Sequence, residues 1–379
     1  MSESASLSNF KKTIFALILL VGAPIVAIVL LEGSASVLLF LRQYSQARSS
    51  QMAMRPHLTG DTLTGWINKR SYANADEYGR GIGLWFDRAG FRTDSVPSAD
   101  DSSRGQLECV GDSYTIGYGV RQADTWCSQL AQYIPQSRSL NLGQDAFGID
   151  QAFLLYKRDG VAAEHQVLVF AMTDLAFERL VTDSYQGRFK PVFTLVGAQL
   201  ALHNVPVPEQ TEAALKGASA SRAFNDLRIM QALSKVPGLD RTSATERELR
   251  SKWPVVERIF SELDSIASHS GRTLVLVYLP TRRDIAPGPG DARRAQIAQF
   301  TSTQRIRYVD LTGPLRSLRK DSLDLAFITQ PSRGSAPGVT GHYSRLGHAW
   351  VGRLLAQQLR EVPTLRGVAP TSSTAGSRP

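Results

Sequence analysis

The chain has 379 residues, of which 42% are hydrophobic and 20% are charged. This composition is typical of a globular protein and excludes a disordered or fibrous chain, and the length allows one large domain with additional segments. The formal net charge is +9, but the basic residues are scattered and do not alternate with aromatic residues, so no nucleic-acid partner is expected.

An uncharged apolar segment of 19 residues, "TIFALILLVGAPIVAIVLL" at 13–31, follows two lysines near the N-terminus. Its length is sufficient to span a bilayer, and the apolar pattern continues through "VLLFL" at 37–41. We therefore predict an uncleaved anchor helix over residues 13–41, with residues 1–12 in the cytoplasm and the remainder outside it. A cleaved signal peptide is the alternative, because "GSAS" at 33–36 offers small residues. Two arginines beyond the segment leave the charge bias nearly level.

Residues 42–104 are polar and rich in Gly, Pro, Asn and Asp. We expect them to form a membrane-proximal connector that adds short strands to the edge of the next domain. That domain is predicted over residues 105–362, where apolar strands alternate with amphipathic helices. The predicted strands are "LECV", "SLNLG", "HQVLVFAM", "RTLVLVYLP" and "IRYVDL", and the predicted helices are "ADTWCSQLAQYI", "DQAFLLYKRDG", 253–269 and 344–360. This alternation predicts a parallel sheet with helices on both faces.

The alternation is interrupted by a predicted insertion over about residues 182–250. Its first part, "KPVFTLVGAQLALHNVPVP" at 190–208, predicts a hairpin that turns near Gly197. The rest of the insertion is polar and favours helix. After the domain, residues 363–379 are predicted to be a disordered tail.

Polar residues follow three of the predicted strands and precede the last helix, where open parallel sheets collect reactive groups. They are Ser113 in "GDSYTIGYGV", Asn141 and Gly143 in "NLGQDAFG", Thr173 and Asp174 in "AMTDLAF", and His342 in "TGHYSRLGHAWVG". Each motif taken singly is also typical of a turn or a helix cap. A histidine near a helix N-terminus is disfavoured in its charged form, so His342 is expected to be neutral and able to accept a proton.

The order of these four motifs over residues 106–360 resembles the SGNH (GDSL-like) hydrolase family. The resemblance implies a flavodoxin-like three-layer α/β/α sandwich around a parallel sheet. It also implies that Ser113 is the nucleophile and His342 its general base, and that the backbone N–H groups of Ser113 and Gly143 line the oxyanion hole. The supporting positions in the motifs are Asp112, Asn141 and Asp174.

The chain departs from the family pattern at two places. Thr173 stands where the family has an asparagine that donates to the oxyanion, and we expect the shorter hydroxyl to donate instead. The family also has an aspartate two or three residues before the histidine, where this chain has Val339 and Thr340. The third catalytic member is then missing, supplied from elsewhere, or replaced by a main-chain carbonyl, as in some members that this chain resembles.

These residues predict a serine esterase or O-acyltransferase that acts on ester-linked acyl groups, acetyl above all, of envelope glycans or lipids. The expected location is a bacterial inner membrane, with one membrane span and the catalytic domain in the periplasm. The alternative is a catalytically degenerate SGNH domain that binds a glycan or a protein within envelope polysaccharide machinery. The Thr173 replacement and the missing aspartate favour that alternative, whereas the intact surroundings of Ser113 and His342 favour catalysis.

Other chemistries find no support in the sequence. There is no phosphate-binding loop, no zinc-binding HExxH motif and no dinucleotide fingerprint after a strand, so neither a cofactor nor a metal is expected. His57, His165, His203 and His269 are dispersed and predicted to be structural or surface residues, and His348 to be a helix residue beneath the site. Cys109 and Cys127 form either one disulfide or two buried thiols.

Overall fold

The computed structural model describes most of the chain after residue 54. The described residues are 55–94, 106–134, 137–186, 188–208, 241–330, 334–335, 338–360, 362 and 365, with scattered residues between 11 and 37. By their contacts the residues divide into two units, one of residues 1–54 with 211–244 and one of residues 55–210 with 245–379. The architecture below is that of the second unit.

Little of the first unit lies within the described residues. The scattered residues that are described between 11 and 37 are helical. No helix among the described residues is both long and apolar enough to cross a bilayer. Most of the predicted anchor at 13–41 and nearly all of the predicted tail at 363–379 lie outside them.

The strands and helices recur in alternation along the described chain. The strands are β1 (Leu58–Asp61), β2 (Gly65–Asn68), β3 (Ala73–Asn74), β4 (Leu84–Phe86), β5 (Arg92–Thr93), β6 (Leu107–Val110), β7 (Ser139–Asn141), β8 (Val167–Met172), β9 (Ser184–Tyr185), β10 (Arg188–Phe189), β11 (Val192–Val196), β12 (Gln199–His203), β13 (Thr273–Tyr278) and β14 (Arg307–Asp310). The α-helices are α1 (Ser113–Ile116), α2 (Trp126–Gln132), α3 (Ile149–Arg158), α4 (Asp174–Leu180), α5 (Arg241–Ser251), α6 (Trp253–His269), α7 (Gly290–Gln304), α8 (Thr312–Arg316), α9 (Lys320–Ala326) and α10 (Arg345–Leu359). Short 3₁₀ turns occur at Gln122–Asp124, Gly160–Ala162 and Arg282–Ile285.

The main sheet has the order β14-β13-β8-β6-β7-β5-β4-β3. Its first five strands in this order are parallel to one another. Numbered along the chain, these five have the order 2-1-3-4-5, which is the flavodoxin-like arrangement. The direction of winding reverses between β6 and β8, and in open sheets of this kind a crevice forms there, outside the carboxyl ends of the strands.

Alternating side chains of the central strands enter two separate hydrophobic cores, because successive residues of a strand point to opposite faces. In β8, Leu168, Phe170 and Met172 belong to the first core, and Val167, Val169 and Ala171 to the second. The first core is completed by α3 and α6, and the second by α2 and α10. Each fully buried Leu, Val or Phe contributes about 1.5–3 kcal/mol of burial free energy. The predicted α/β fold with helices on both faces is therefore confirmed.

The sheet is not purely parallel, which corrects the sequence-based expectation. β5 pairs with β7 in the antiparallel sense, and β4 and β3 continue the sheet in the same way. All three strands come from residues 42–104, which were predicted to add short strands to the edge of the domain, and they lie at that edge; only their antiparallel sense was not predicted. They are two or three residues long, too short for alternation to mark them in the sequence.

The insertion contains the predicted hairpin. β11 pairs with β12, and the turn between them contains Gly197. A shorter hairpin, β9 with β10, precedes it, and α5 follows. Residues 209–240, the middle of the insertion, lie outside the described residues.

Candidate active site

Ser113 lies at the carboxyl end of β6, as the first residue of the short helix α1. The preceding residue, Asp112, caps this helix, because its carboxylate accepts a hydrogen bond from the Tyr114 N–H at 3.0 Å. Gly117 ends the helix with a φ of 81°, a left-handed backbone conformation that residues other than glycine rarely adopt. Since both ends of α1 are held in this way, the serine has a defined position at the crevice.

His342 lies near the C-terminal end of the domain in sequence but contacts Ser113 near its start. Its Nε2 lies 2.8 Å from the Ser113 Oγ, which is hydrogen-bonding distance for a base and its nucleophile. The histidine lies two residues before Ser344, the N-cap of α10. Burial lowers the pKa of His342 below its ordinary value of 6.5, so the imidazole is neutral and basic at neutral pH.

The second nitrogen of the imidazole, Nδ1, lies 3.3 Å from the main-chain carbonyl oxygen of Val339. An N–H on Nδ1 donates to this carbonyl, which leaves Nε2 free to accept the serine proton. Of the three possibilities left by the missing aspartate, a main-chain carbonyl is the one that this geometry supports.

Two tyrosine rings pack against the imidazole. The ring centroid of Tyr114 lies 4.7 Å from that of His342, and that of Tyr118 lies 5.1 Å away. Both tyrosines belong to the serine motif, and sequence reasoning did not single them out. The only sequence feature that could have pointed to them is their spacing of four residues on either side of a predicted turn.

Asp112 organises a buried polar group beneath the nucleophile. One of its carboxylate oxygens accepts hydrogen bonds from the Thr173 hydroxyl at 2.7 Å and from the Arg179 guanidinium at 3.2 Å. Arg179 also donates to the carbonyl oxygen of Phe147 at 2.8 Å. Asp112 and Arg179 thus join the ends of β6 and β8 around the switch point. Arg179 in α4 was not predicted, and nothing in the sequence marks it.

The hydroxyl of Thr173 is not placed as the predicted oxyanion donor. Its hydroxyl proton is committed to Asp112, and its oxygen caps α4 by accepting from the Ala176 N–H at 3.3 Å. The residue is fully buried. The correction follows from the length of the side chain, because a threonine hydroxyl at this strand end reaches the neighbouring carboxylate instead of the crevice.

Asn141 and Gly143 hold β7 against the nucleophile helix. Asn141 donates from its side-chain amide to the Thr115 carbonyl at 2.9 Å and accepts from the Gly143 N–H at 3.0 Å. The Gly143 N–H, predicted as an oxyanion donor, is thus bonded to Asn141 in this structure. The Ser113 N–H makes no hydrogen bond within the described part of the protein, and it is the donor open to an oxyanion.

Asp174 does not join the site. It is the first residue of α4 and forms an ion pair with Arg293 of α7. It was predicted as a supporting residue of the site, but its carboxylate pairs two helices instead. The disulfide between Cys109 of β6 and Cys127 of α2 is formed, with the two Cα atoms 6.2 Å apart.

A second buried charged cluster lies beside the site and was missed by sequence reasoning. Asp145 pairs with Arg55 and lies 3.6 Å from the His57 ring, whose other nitrogen lies 2.8 Å from Glu77. His57 was predicted to be structural or on the surface, and it is fully buried. Tyr118 joins this cluster to the site, since its ring lies 6.2 Å from that of His57.

A cavity of about 370 Å³ borders the loop that carries His342. Its apolar lining includes Ile82 and Ile328, and its charged lining consists of Arg121, Asp124 and Arg345. The Ile328 N–H donates to the His342 carbonyl at 2.8 Å, which fixes the wall of the cavity to the histidine. A cavity of this size accepts a small ligand or one or two sugar rings.

The remaining histidines have no part in the chemistry of the site. His348 is fully buried in α10, accepts from the Trp126 N–H at 3.1 Å, and has its pKa lowered to about 3 by burial. Among the described residues, no group of three or more His, Cys, Asp or Glu side chains is arranged to hold a metal ion. The arrangement of Ser113 and His342 is suited to nucleophilic attack on an ester carbonyl.

No family model matches the chain, and no curated protein matches it. The fold is similar to several solved structures. A lipolytic protein of the G-D-S-L family from Desulfitobacterium hafniense is 11% identical, with a TM-score of 0.36 over 66% of this chain and 97% of that one. A lipase/acylhydrolase from Enterococcus faecalis is 13% identical, with a TM-score of 0.35 over 67% of this chain and 94% of that one. A family two carbohydrate esterase from Clostridium thermocellum, in complex with cellohexaose, is 10% identical, with a TM-score of 0.34 over 72% of this chain and 67% of that one. At this level of similarity the chemistry has to be argued from the side chains of this chain.

Proposed function

We propose that this chain is a serine esterase or O-acyltransferase of the SGNH class, which acts on ester-linked acyl groups through an acyl-enzyme on Ser113. The observation that carries the proposal is the distance of 2.8 Å between Ser113 Oγ and His342 Nε2, across 229 positions of the chain. A side-chain pair so remote in sequence meets only because the fold brings both to the switch point of the sheet.

The reaction follows from the positions of these groups. His342 Nε2 takes the hydroxyl proton of Ser113 as Oγ attacks the carbonyl carbon, and the oxyanion that forms accepts a hydrogen bond from the Ser113 N–H. The bond to the leaving alcohol then breaks, and His342 returns the proton to that alcohol. Water, or a sugar hydroxyl in a transferase, gives its proton to His342 and attacks the acyl carbonyl. The bond between the acyl group and Ser113 Oγ then breaks, the acid or the new ester leaves, and His342 returns the proton to Ser113.

Acetylated envelope glycans or lipids are the proposed substrates, and a bacterial inner membrane with the catalytic domain in the periplasm is the proposed location. The apolar segment at 13–31 supports an anchor. The disulfide between Cys109 and Cys127 supports an oxidising compartment. The cavity beside His342, with its apolar walls and charged rim, supports a subsite for a leaving or accepting sugar.

The proposal is tested by hydrolysis of p-nitrophenyl acetate with the purified full-length protein. We expect activity in the wild type and a loss of at least about a thousandfold in Ser113→Ala and in His342→Ala, because either change removes the nucleophile or its base. A fluorophosphonate probe should label the wild type on Ser113 and leave the alanine variant unlabelled, as peptide mass spectrometry would show.

The matched controls are Ser302→Ala and His269→Ala, which alter exposed residues of α7 and α6 and should retain full activity. Failure of both the hydrolysis assay and the probe in the wild type would remove the esterase reaction. Labelling by the probe without hydrolysis would favour a transferase, and that outcome is followed by adding an acetyl donor and an oligosaccharide acceptor. Absence of labelling together with oligosaccharide binding would favour the degenerate binding domain.

A further inference from the structure

Among the described residues, no carboxylate is hydrogen-bonded to the imidazole of His342. Its Nδ1 faces the Val339 carbonyl at 3.3 Å, slightly beyond the usual range of about 2.7–3.2 Å. The Asp112 carboxylate is hydrogen-bonded to Tyr114, Thr173 and Arg179. A neutral carbonyl orients the ring, but it does not balance the full charge that appears when the imidazole takes a proton.

Two aromatic faces occupy the space around that ring. The Tyr114 ring is tilted by 34° to the imidazole and the Tyr118 ring by 40°, with centroids at 4.7 and 5.1 Å. Both distances lie within the reach of about 6 Å at which a cation is attracted by an aromatic face. The two tyrosines are 5% and 1% exposed, so little water competes for the charge.

Other contacts hold both rings in place. The Tyr114 hydroxyl donates to the Gly341 carbonyl at 2.9 Å, next to the histidine, and its ring meets Tyr343 edge-on at 5.0 Å. The Tyr118 ring packs against that of Tyr78 at 4.8 Å. Neither ring can leave the imidazole without the loss of these contacts.

We propose that the ring faces of Tyr114 and Tyr118 perform the task of an acidic third member, by holding the His342 ring and stabilising its charged form after it takes the Ser113 proton. The inference rests on the proposed function. The tyrosines are positioning residues, because they act through His342 and not on the substrate. Since the charge is present in the transition state and absent in the ground state, the effect belongs to kcat.

The two rings differ in how much they contribute. The Arg55 guanidinium lies over the Tyr118 ring at 5.6 Å, so the electron density of that ring is already shared with a cation. Tyr114 has no such neighbour among the described cation and ring pairs. Tyr114 therefore carries the larger part.

Several charged groups act on the same imidazole. Burial lowers the pKa of His342 most, Asp112 and Asp145 raise it, and Arg179 lowers it. A test must leave these groups in place and change only the rings. Replacement of Tyr114 by phenylalanine and then by mono-, di- and pentafluorinated phenylalanine keeps the shape of the ring while it weakens the negative face step by step.

The expected result is a steady fall in kcat for p-nitrophenyl acetate along this series, to about one tenth of the phenylalanine variant, with KM nearly constant. The acidic limb of the kcat/KM profile should move to lower pH in parallel, because the charged imidazole is less stabilised. The same series at Tyr118 should fall by less. The matched control is Tyr156, a buried tyrosine that packs edge-on against His165, where fluorination should leave kcat unchanged.

NMR titration of the His342 ring separates this inference from the esterase reaction, because it needs no turnover. A shift of the titration midpoint to lower pH along the Tyr114 series supports the inference even if the protein hydrolyses no model ester. A midpoint that stays constant along the series overturns it, as does an equal effect of fluorination at Tyr156.

The Tyr114→Leu variant, whose folding is checked by thermal unfolding, should lose about tenfold to thirtyfold in kcat. If this variant does not fold, the fluorinated series decides whether the inference holds.

Discussion

The hydrogen bond between Ser113 and His342 should make the activity depend on the protonation state of His342. Nε2 must be unprotonated to accept the serine proton. Burial lowers the pKa of His342 below 6.5, so the basic form prevails from mildly acidic pH upward. The acidic limb of the profile should therefore have its midpoint below 6.5, the ordinary value for histidine.

The measurement is kcat/KM for a model ester between about pH 4 and pH 9, because this ratio reports the ionisation of the free enzyme. Asp145→Asn provides a sensitive comparison. The Asp145 carboxylate raises the pKa of His342, so its removal should move the acidic limb to lower pH. A limb with its midpoint above 6.5 in the wild type would contradict the assignment of His342 as a base in a buried site.

At the scale of the elements, the site depends on the close approach of the loop after β7 to helix α1. A Cβ atom on Gly143 would overlap the main-chain nitrogen of Ile116 and lie 2.7 Å from its Cα atom. Only glycine allows the two segments to come this close. The approach of the serine helix to the neighbouring strand therefore depends on this glycine as well as on the hydrogen bond from the Asn141 amide to the Thr115 carbonyl.

Gly143→Ala should therefore displace α1 and lower kcat/KM by about tenfold to a hundredfold, with a loss of about 1–3 kcal/mol in unfolding free energy. Enzyme kinetics and urea denaturation test the two effects. Gly313→Ala in α8 is the matched control, since nothing lies within 4 Å of a Cβ atom at that position, and alanine favours helix. An alanine at 143 that leaves both activity and stability unchanged would refute the close approach.

At the scale of the whole molecule, residues 55–94 complete both the sheet and the surroundings of the site. They supply β3, β4 and β5 to the edge of the sheet. They also supply Arg55, which pairs with Asp145, and His57, which pairs with Glu77. Residues 55–94 are therefore part of the same folded unit as the parallel strands of the main sheet.

The disulfide should add to the stability of this unit. It closes a loop of 18 residues between β6 and α2, for which the chain-entropy model predicts about 3 kcal/mol. Reduction under native conditions, confirmed by the mass shift after alkylation, should lower the midpoint of urea denaturation accordingly. The double variant Cys109→Ala/Cys127→Ala should be less stable and insensitive to the reductant. Equal midpoints with and without the reductant in the wild type would contradict this prediction.

The sequence alone predicted the alternating core of the protein and singled out Ser113 and His342, which the structure places within hydrogen-bonding distance. The strand β8 is a continuous apolar run, β13 is nearly one, and α6 has the predicted bounds, because buried parallel strands and amphipathic helices have strong local patterns. Ser113 and His342 were predicted from motifs, since each motif combines reactive side chains with the turn residues that present them.

Only the tertiary structure decided what surrounds that pair. Thr173 bonds to Asp112 instead of facing the crevice, and Tyr118 contacts both His342 and the cluster around His57. The Val339 carbonyl lies at His342 Nδ1, one of the three possibilities that the sequence had left open. Such contacts join residues far apart in the chain, and no local pattern records them. They are set by the distance between strand ends, which exists only once the sheet has formed and the two cores have closed on its faces.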